Sequence, residues 1–480
     1  MPNPSPPGQP GPVAIDAGLF KAYDIRGVVG RSLTREAARA IGAALGSEAM
    51  ACATREIAVG RDGRLSGPWL RDALIDGIRS TGVGVVDIGQ VATPMLYFAT
   101  VHLGTGAGVE ITGSHNPPEY NGMKLVLGGE ALYGEGLQRL HRRIGAGDLA
   151  AAAAPGPLRS ADIRQAYLDR IAGDVRLARP MRIVVDCGNG VAGSVAGALY
   201  RALGCAVTEL FCEVDGNFPN HHPDPAHPEN LQDLIEAVHR TGSELGLAFD
   251  GDGDRLGVVT RNGKIIFPDR QIMLFARDIL AARPGAEIVY DVKCTRQLAP
   301  WVRGLGGRPT MWRTGHSLIK ARLRESGAAF AGEMSGHLFF NDRWYGFDDG
   351  LYAGARLLEI LSREADPSAA LEALPDATST PELHLVTAEG ENFGLVQRLR
   401  ALAEAAPAGA RPAFATAREF TTIDGIRVEY DDGFGLARPS NTTPVVVLRF
   451  EGDNADALTR IQSEFRKALA MIAPGLSLPF

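Results

Sequence analysis

The stretch RIVVDCGNG (residues 182–190) joins an apolar, β-branched run to a break made of glycine and asparagine. The segment VAGALYRALG follows at 195–204. In a helix, its residues Val195, Leu199 and Leu203 fall on one face. A buried strand followed by an amphipathic helix is typical of a parallel sheet that helices cover on both faces. The stretch therefore predicts an α/β fold.

The same pattern recurs along the chain. EIAVGRDGR (56–64) and EIVYDVKC (287–294) are two further apolar runs that end in polar residues. The C-terminal part differs, because GIRVEYDD (425–432) and PVVVLRFEG (444–452) both predict strands ahead of one long helix. We expect three α/β domains and a smaller α+β domain.

At 480 residues the chain is too long for one hydrophobic core, and its composition indicates where it divides. The expected breaks are a Pro/Gly-rich linker at 149–160, an Asn-Gly turn before 264 and an irregular stretch at 366–382. We therefore expect five segments, namely a disordered lead-in at 1–12, α/β domain I at 13–157, α/β domain II at 158–263, α/β domain III at 264–376 and α+β domain IV at 377–480.

Composition excludes several classes of protein. A net charge of −7 argues against nucleic acid as a partner. Apolar runs stay well short of the roughly 18–20 residues that span a membrane, and the Pro/Gly-rich start lacks the apolar core of a signal peptide. Five cysteines without a CxxC spacing suit a reducing compartment. We expect a cytoplasmic protein.

An acidic loop follows an apolar strand in LAFDGDGDRLGVV (247–259). Asp250, Asp252 and Asp254, here called the Asp triplet, alternate with glycine, so their carboxylates can point the same way. Three carboxylates held together need a cation, and oxygen ligands suit Mg²⁺ or Ca²⁺. An EF-hand is excluded because its required glycine and glutamate positions hold arginines here. The pattern predicts a metal loop.

A glycine-flanked loop lies in AGEMSGHLFF (331–340). Its polar members are Glu333, Ser335 and His337. The Glu333 and Ser335 side chains can accept hydrogen bonds from neighbouring sugar hydroxyls. The pattern predicts a sugar-binding loop, and a turn that merely ends a strand is the alternative.

A second polar turn lies in ARPSNTTPVVV (437–447). Arg438, Ser440, Asn441 and Thr442 place a guanidinium, two hydroxyls, an amide and backbone N–H groups within a short segment. Phosphate is bound by such donors. The pattern predicts a phosphate-binding loop, again with a structural turn as the alternative.

Ser114 lies in VEITGSHNPPEYNGMKLV (109–126), where a β-rich run breaks. His115 and Lys124 offer a base or a phosphate partner, and the Asn-Pro-Pro segment stiffens the backbone. Acyl transfer is unsupported because the chain lacks a GxSxG elbow, and a Walker-type phosphate loop is missing too. Next to a metal loop, a sugar loop and a phosphate loop, Ser114 is better interpreted as a phosphoserine intermediate than as a structural turn.

A competing interpretation comes from DCGNGVAG (186–193). Gly188, Gly190 and Gly193 form a GxGxxG between a strand and a helix, with Glu213 farther on, so a dinucleotide site is formally present. The same glycines suit any tight strand-to-helix turn. An NAD-dependent oxidoreductase is therefore the alternative function from a different enzyme class. A dehydrogenase would, however, have no evident role for the Asp triplet.

Taken together, four motifs resemble the α-D-phosphohexomutase superfamily, specifically its phosphomannomutase/phosphoglucomutase members. They are TGSHNP (112–117, the serine loop), DGDGDR (250–255, the metal loop), GEMSGH (332–337, the sugar loop) and RPSNTTP (438–444, the phosphate loop). The resemblance begins at KAYDIRG (21–27). It implies four domains around a central cleft, three related α/β domains with mixed sheets and a C-terminal α+β domain of the TATA-binding-protein-like type.

The resemblance also implies roles for single residues. Ser114 would hold the phosphoryl group, and Mg²⁺ would be bound by the Asp triplet together with that phosphate. Further cleft positions are matched by Tyr23, Arg26, Arg255, Lys293 and His316.

The implied reaction interconverts hexose 1-phosphate and hexose 6-phosphate through a hexose 1,6-bisphosphate. Arg26 would offset charge in the transition state. The general base would be Lys124, His115 or His316, and the sequence leaves that choice open. The implied partners are small-molecule hexose phosphates, of mannose, glucose or both, and the expected state is a monomer or weak dimer.

Two alternative functions would also use a sugar-phosphate site. Phosphoglucosamine mutases usually have Gln where this chain has Met334, and Gly-Thr where it has Asn441-Thr442. Both positions favour the mannose/glucose type. A non-catalytic sugar-phosphate-binding protein is disfavoured because Ser114 and the Asp triplet are intact.

Overall fold

The computed structural model describes residues 15–405 and 413–480, so the lead-in predicted at 1–12 lies outside the described residues. In the described part of the chain, no helix is both long enough and apolar enough to cross a membrane. The strands form four separate sheets in chain order. This arrangement confirms the expected class of four α/β and α+β units with mixed sheets.

The first sheet has the strand order β1-β5-β4-β2-β3-β7, with β6 paired to β5. Its elements are β1 (Ile25–Val28), α1 (Arg35–Ala51), β2 (Glu56–Arg61), α2 (Gly67–Ser80), β3 (Gly84–Gln90), α3 (Thr93–His102), β4 (Gly108–Ile111), β5 (Tyr120–Leu127), β6 (Glu130–Ala131), α4 (Glu135–Ala146) and β7 (Leu158–Ser160). β2 is parallel to β3 and β4, whereas β5 is antiparallel to β4. The serine loop is the connection between β4 and β5.

The second sheet has the order β12-β11-β10-β8-β9. Its elements are α5 (Arg164–Asp174), β8 (Arg182–Asp186), α6 (Ala196–Ala202), β9 (Ala206–Leu210), α7 (Gln232–Thr241), β10 (Leu245–Phe249), β11 (Leu256–Thr260) and β12 (Ile265–Ile266). β8 is parallel to β9 and β10. The metal loop connects β10 to the antiparallel β11.

The third sheet has the order β14-β13-β15-β16. Its elements are α8 (Pro268–Ala282), β13 (Glu287–Asp291), α9 (Leu298–Gly304), β14 (Arg308–Trp312), α10 (His316–Ser326), β15 (Phe330–Gly332), β16 (Leu338–Phe340), α11 (Gly350–Leu361) and α12 (Pro367–Glu372). The sugar loop connects β15 to the antiparallel β16. One apolar core extends from α3 through the second sheet into the third.

The fourth sheet is antiparallel, with the order β17-β22-β21-β20-β19 and β18 paired to β22. Its elements are β17 (Thr378–Ser379), β18 (Leu383–Val386), α13 (Glu391–Glu404), β19 (Glu419–Thr421), β20 (Ile426–Tyr430), β21 (Gly433–Pro439), β22 (Val445–Gly452) and α14 (Ala455–Ile472). The Asn454 side chain caps α14 by accepting from the Ala457 N–H. The phosphate loop connects β21 to β22.

Two short strands extend past the expected domain limits. β7 begins at Leu158 and pairs with β3 of the first sheet, and β12 pairs with β11 of the second. The Asn-Gly turn before 264 closes this β11–β12 hairpin, with Gly263 at a φ of 79° that favours glycine. The turn therefore lies inside the second unit, and the third unit begins with α8.

Candidate active site

Ser114 lies in the serine loop, where its backbone has a φ of 48°. This left-handed conformation is uncommon for a residue other than glycine and marks a position that the surrounding structure holds in place. The Ser114 N–H donates to the Thr112 hydroxyl at 2.8 Å. The Ser114 hydroxyl donates to Asp250 Oδ2 at 2.9 Å. The loop thus directs the serine at the metal loop.

Arg64 holds the serine loop and was missed by the sequence analysis. Its guanidinium donates to the carbonyl oxygens of Pro117, Tyr120 and Ser114 at 2.7–2.8 Å, and also to that of Asn116. Arg64 is 1% exposed. A Cβ on Gly113 would lie 2.5 Å from the guanidinium carbon, so this glycine is required by the close approach of Arg64. In the sequence, the only indication that Arg64 holds the loop was its place in GRDGR, beside the end of a predicted strand.

The metal loop brings the Asp triplet together. One carboxylate oxygen from each residue lies within 4.8 Å of the others, and all three side chains are fully buried. Burial and the neighbouring Asp254 and Asp252 raise the pKa of Asp250 well above its usual value. Asp252 Oδ1 and Asp254 Oδ1 are buried and find no hydrogen-bond partner among the described residues. Clustered carboxylates with oxygens that accept no hydrogen bond fit a hard divalent cation.

Lys124 offsets part of this negative charge. β5 places its ammonium group 2.7 Å from Asp252 Oδ2, and it also donates to Asp254 Oδ2. Burial lowers the pKa of Lys124, but the two carboxylates outweigh burial and raise it well above its usual value. The side chain is therefore a charged ammonium at neutral pH.

Two histidines near the site are neutral, whereas Lys124 is charged. Desolvation lowers the pKa of His115 to about 4, even though its Nδ1 lies 2.8 Å from Asp224 Oδ2. Burial and the nearby Lys320 hold the pKa of His316 well below its usual value. Both imidazoles are therefore neutral at neutral pH, unlike Lys124.

Arg255 links the metal loop to the sugar loop. Its Nε donates to His337 Nε2 at 3.1 Å and lies 3.9 Å from Asp250 Oδ2. Its Nη1 lies 3.7 Å from Asp224 Oδ1, so this aspartate, which the sequence analysis missed, lies between Arg255 and His115. The guanidinium thus connects the second and third sheets at the cleft.

The sugar loop places carboxylate and hydroxyl groups on the cleft surface. Glu333 is buried and accepts a hydrogen bond from the Gly315 N–H, next to His316. Burial raises the pKa of Glu333. Ser335 is half-buried, and His337 Nδ1 lies 3.1 Å from Asp348 Oδ2.

The phosphate loop is tied to the first and third units by one tyrosine. The Asn441 amide donates to the Tyr23 hydroxyl, which itself donates to the Thr314 carbonyl at 2.9 Å. Arg438 is buried and donates to Asp424 Oδ2 at 3.0 Å. Thr442 is exposed. The four sheets therefore surround one cleft.

Within that loop, the Ser440 hydroxyl accepts from the Thr443 N–H at 3.2 Å. Lys293 also faces the cleft, where its ammonium donates to Glu382 Oε1 at 2.6 Å. Arg26 donates to Asp24 Oδ2 and to the Asn116 side chain of the serine loop. Lys293 and Arg26 are thus each paired with a protein oxygen. An anionic substrate would replace that oxygen as the partner of the cation or share the cation with it.

The cleft is a cavity of about 610 Å³, a size that suits a sugar phosphate. Its lining includes the predicted residues Tyr23, Arg26, His115, Arg255, Lys293, His316, Glu333, Ser335, His337, Arg438, Ser440, Asn441 and Thr442. Ser114 and Lys124 are nearly fully buried, and Ser114 adjoins the cleft through its neighbour His115.

The GxGxxG glycines have a packing role. A Cβ on Gly193 would lie 2.1 Å from the Cys212 carbonyl oxygen, and one on Gly190 would lie 2.9 Å from the Gly251 carbonyl oxygen. Gly188 has a φ of 50°. Close backbone contact thus accounts for these glycines without a dinucleotide.

Models of phosphoglucomutase/phosphomannomutase α/β/α domains I, II and III match residues 17–148, 165–263 and 267–377. The model of the C-terminal domain matches 382–468.

Individual proteins are similar over nearly the whole chain. A phosphoglucomutase of Neisseria gonorrhoeae is 55% identical over 457 residues, which are 95% of this chain and 97% of the relative. A phosphomannomutase/phosphoglucomutase of Pseudomonas aeruginosa is 52% identical over 467 residues, 97% of this chain and 98% of the relative. A crystal structure of a phosphoglucomutase/phosphomannomutase family protein from Burkholderia thailandensis aligns with a TM-score of 0.91 at 57% identity, covering 97% of this chain and 100% of that one.

Proposed function

This chain belongs to the phosphoglucomutase/phosphomannomutase family and is a phosphohexomutase, and from that premise we propose that it moves a phosphoryl group between C1 and C6 of a hexose through a phosphoserine at Ser114. The observation that carries the proposal is the 2.9 Å hydrogen bond from the Ser114 hydroxyl to Asp250. It places the buried hydroxyl of Ser114 beside the Asp triplet. A cation held by these carboxylates would neutralise charge on the phosphate oxygens during phosphoryl transfer.

We propose Mg²⁺ as the cation. The Asp triplet and a phosphate on Ser114 would hold it, because the donor atoms are all oxygens and two of them are unpaired. When bound, the ion supplies positive charge to the phosphate oxygens as the P–O bonds change. Arg26 and the charged Lys124 add positive charge from the protein itself.

The remaining cleft residues position the sugar phosphate. Arg438, with Ser440, Asn441 and Thr442, offers a guanidinium and neutral donors to the phosphate that does not react. Glu333 and Ser335 accept hydrogen bonds from sugar hydroxyls. Tyr23, Arg255, Lys293 and His337 complete the lining of the cleft. Because the sugar must bind in two orientations, these contacts serve either end of the molecule.

The chemical step begins with a free sugar hydroxyl of hexose 1- or 6-phosphate. Its oxygen attacks the phosphorus, the bond to Ser114 Oγ breaks, and a hexose 1,6-bisphosphate results. The hydroxyl proton must leave, and Ser114 Oγ must gain a proton. A neutral imidazole can take up a proton, so His115 and His316 are candidate bases. Lys124 is the third candidate for a proton transfer, because the carboxylates that raise its pKa are those that would hold Mg²⁺. The bisphosphate then turns and returns its other phosphate to Ser114.

The expected organisation is part of the proposal. We propose domains at 13–157, 158–263, 264–376 and 377–480, the last of TATA-binding-protein-like type, in a cytoplasmic monomer or weak dimer. The four sheets support the number of domains, and the hairpin of β11 and β12 favours a second boundary a few residues later.

The direct test is turnover of sugar phosphates. The protein is incubated with mannose 1-phosphate or glucose 1-phosphate, Mg²⁺ and a trace of glucose 1,6-bisphosphate, and the 6-phosphate is measured. We expect conversion of one or both sugars, and faster conversion than that of glucosamine 1-phosphate. No conversion of either sugar would overturn the proposal, and a preference for glucosamine 1-phosphate would favour a phosphoglucosamine mutase.

A further inference from the structure

Two cysteines lie side by side in the second sheet. Cys187 directly follows β8 and Cys212 follows β9, and these strands are parallel neighbours. The two Sγ atoms are 3.5 Å apart, and both thiols are free. A disulfide would need them at about 2.05 Å, a short further approach.

The two cysteines differ in how far they are exposed to solvent. Cys187 is fully buried, whereas Cys212 is half-buried. Cys212 lines an open surface cavity of about 530 Å³ together with Asn189, Phe211 and Glu213. As the more exposed cysteine of the pair, Cys212 is the one that we expect a small oxidant to modify first, and Cys187 is the thiol placed to react with it next.

We propose that Cys187 and Cys212 form a reversible disulfide when the protein meets a peroxide, and that this modification lowers turnover. Cys212 Sγ attacks one peroxide oxygen, the O–O bond breaks, and one water leaves with the thiol proton. Cys187 Sγ then attacks the Cys212 sulfenic acid, the S–O bond breaks, and a second water leaves with the Cys187 proton. Two thiols are oxidised and hydrogen peroxide is reduced to two waters.

The pair is connected to the metal loop through one turn. The Val191 N–H, four residues after Cys187, donates to the Gly251 carbonyl at 3.1 Å. Gly193 packs against the Cys212 carbonyl, where a Cβ would lie 2.1 Å away. Both cysteines thus contact the segment that supports Gly251, the residue between Asp250 and Asp252.

The metal loop in turn contacts the nucleophile. A Cβ on Gly251 would lie 2.3 Å from the Ser114 carbonyl oxygen, so these backbones touch. Drawing the two sulfurs together displaces the turn at 188–193 and with it Gly251. Because displacements of about 1 Å can cost 10²-fold in rate, we expect the disulfide to reduce kcat by about tenfold or more. This effect on turnover rests on the proposed function, whereas disulfide formation does not.

The experiment uses the full chain, oxidised with hydrogen peroxide and then freed of peroxide with catalase. Free thiols are blocked with N-ethylmaleimide, linked peptides are mapped by mass spectrometry, and activity is measured before and after dithiothreitol. Cys212→Ser removes the accessible thiol. Cys52→Ser is the matched control, because Cys52 is exposed at the end of α1.

We expect a Cys187–Cys212 linked peptide and a loss of kcat that dithiothreitol reverses, in the wild type and in Cys52→Ser alike. Cys212→Ser should keep its activity after peroxide. The proposal is overturned if the linked peptide does not form, if it forms without a change in kcat, or if Cys212→Ser is inactivated equally. A reduced protein without mutase activity would instead overturn the proposed function, and the linked peptide would still report on the cysteine pair.

Discussion

The Ser114 hydroxyl and the Asp250 carboxylate are joined by a 2.9 Å hydrogen bond across 136 positions of sequence. The serine belongs to the first sheet and the aspartate to the second. Their contact therefore depends on how the two units pack, and it joins the proposed phosphoryl carrier to the proposed metal site.

Arg64→Lys should loosen the serine loop. A lysine ammonium cannot reproduce the fork that binds four carbonyl oxygens, so several charge-assisted hydrogen bonds are lost from a buried site. We expect a loss of about 3 kcal/mol in the free energy of unfolding and a fall in kcat of about 10- to 100-fold. Urea unfolding and steady-state kinetics measure these, with the exposed Arg39→Lys as control. Kinetics equal to those of the control would show that Arg64 does not position the loop.

Asp252→Asn should weaken binding of Mg²⁺. The substitution removes one charge from the Asp triplet but preserves the shape of the side chain, so we expect affinity to fall about 10- to 100-fold. Isothermal titration calorimetry with Mg²⁺ measures this directly. The control is Asp76→Asn on the exposed face of α2. Unchanged affinity in Asp252→Asn would exclude this carboxylate as a ligand.

Tyr23→Phe should weaken substrate binding more than it slows chemistry. The hydroxyl accepts from Asn441 and donates to Thr314, so its removal frees the phosphate loop from two other units. With about 1 kcal/mol for a neutral hydrogen bond, we expect KM to rise about fivefold with a smaller change in kcat. Tyr133→Phe in the first unit is the control. A fall in kcat at constant KM would contradict this role.

Asp349→Asn should reduce the pH dependence of stability. Burial raises the pKa of Asp349 to about 7, although it accepts from the Tyr167 hydroxyl and the Tyr352 N–H. The folded state therefore binds more protons than the unfolded state between pH 4 and pH 7, and stability falls as pH rises through that window. Across this window, the ionisation of Asp349 lowers the free energy of unfolding by up to about 4 kcal/mol.

Urea unfolding at pH 5 and pH 8 measures this contribution. The wild type should lose more free energy of unfolding between the two pH values than Asp349→Asn does. Asp366→Asn, which alters the exposed cap of α12, should behave as the wild type. Equal pH dependence in Asp349→Asn and the wild type would show that Asp349 is ionised in the folded protein.

The sequence predicted the elements whose patterns are local. β8 and β13 coincide with apolar runs that the sequence analysis singled out, and the serine, metal, sugar and phosphate loops each connect two antiparallel strands. Turn residues at strand ends are visible in a sequence because glycine, proline and short polar residues have fixed backbone preferences. The fold class followed from these patterns.

Residues that act through distant contacts were not predictable. Arg64 reaches carbonyls at least 50 positions away, and Thr93 donates to Asp252 Oδ2 from the start of α3. Asp224 pairs with His115 from an irregular stretch without periodicity. Nothing in the local pattern separates such residues from ordinary surface charges, because their roles arise when the units pack together.

The central claim is that Ser114 carries the phosphoryl group, and the mass of the protein tests it most directly. The chain is incubated with glucose 1,6-bisphosphate and Mg²⁺, freed of ligand, weighed intact and mapped by peptide over 109–126. We predict a gain of about 80 Da located on Ser114 in the wild type and in Ser463→Ala, a half-buried control on α14, but not in Ser114→Ala, which should be inactive. The same gain in Ser114→Ala, or turnover by that variant, would contradict the account.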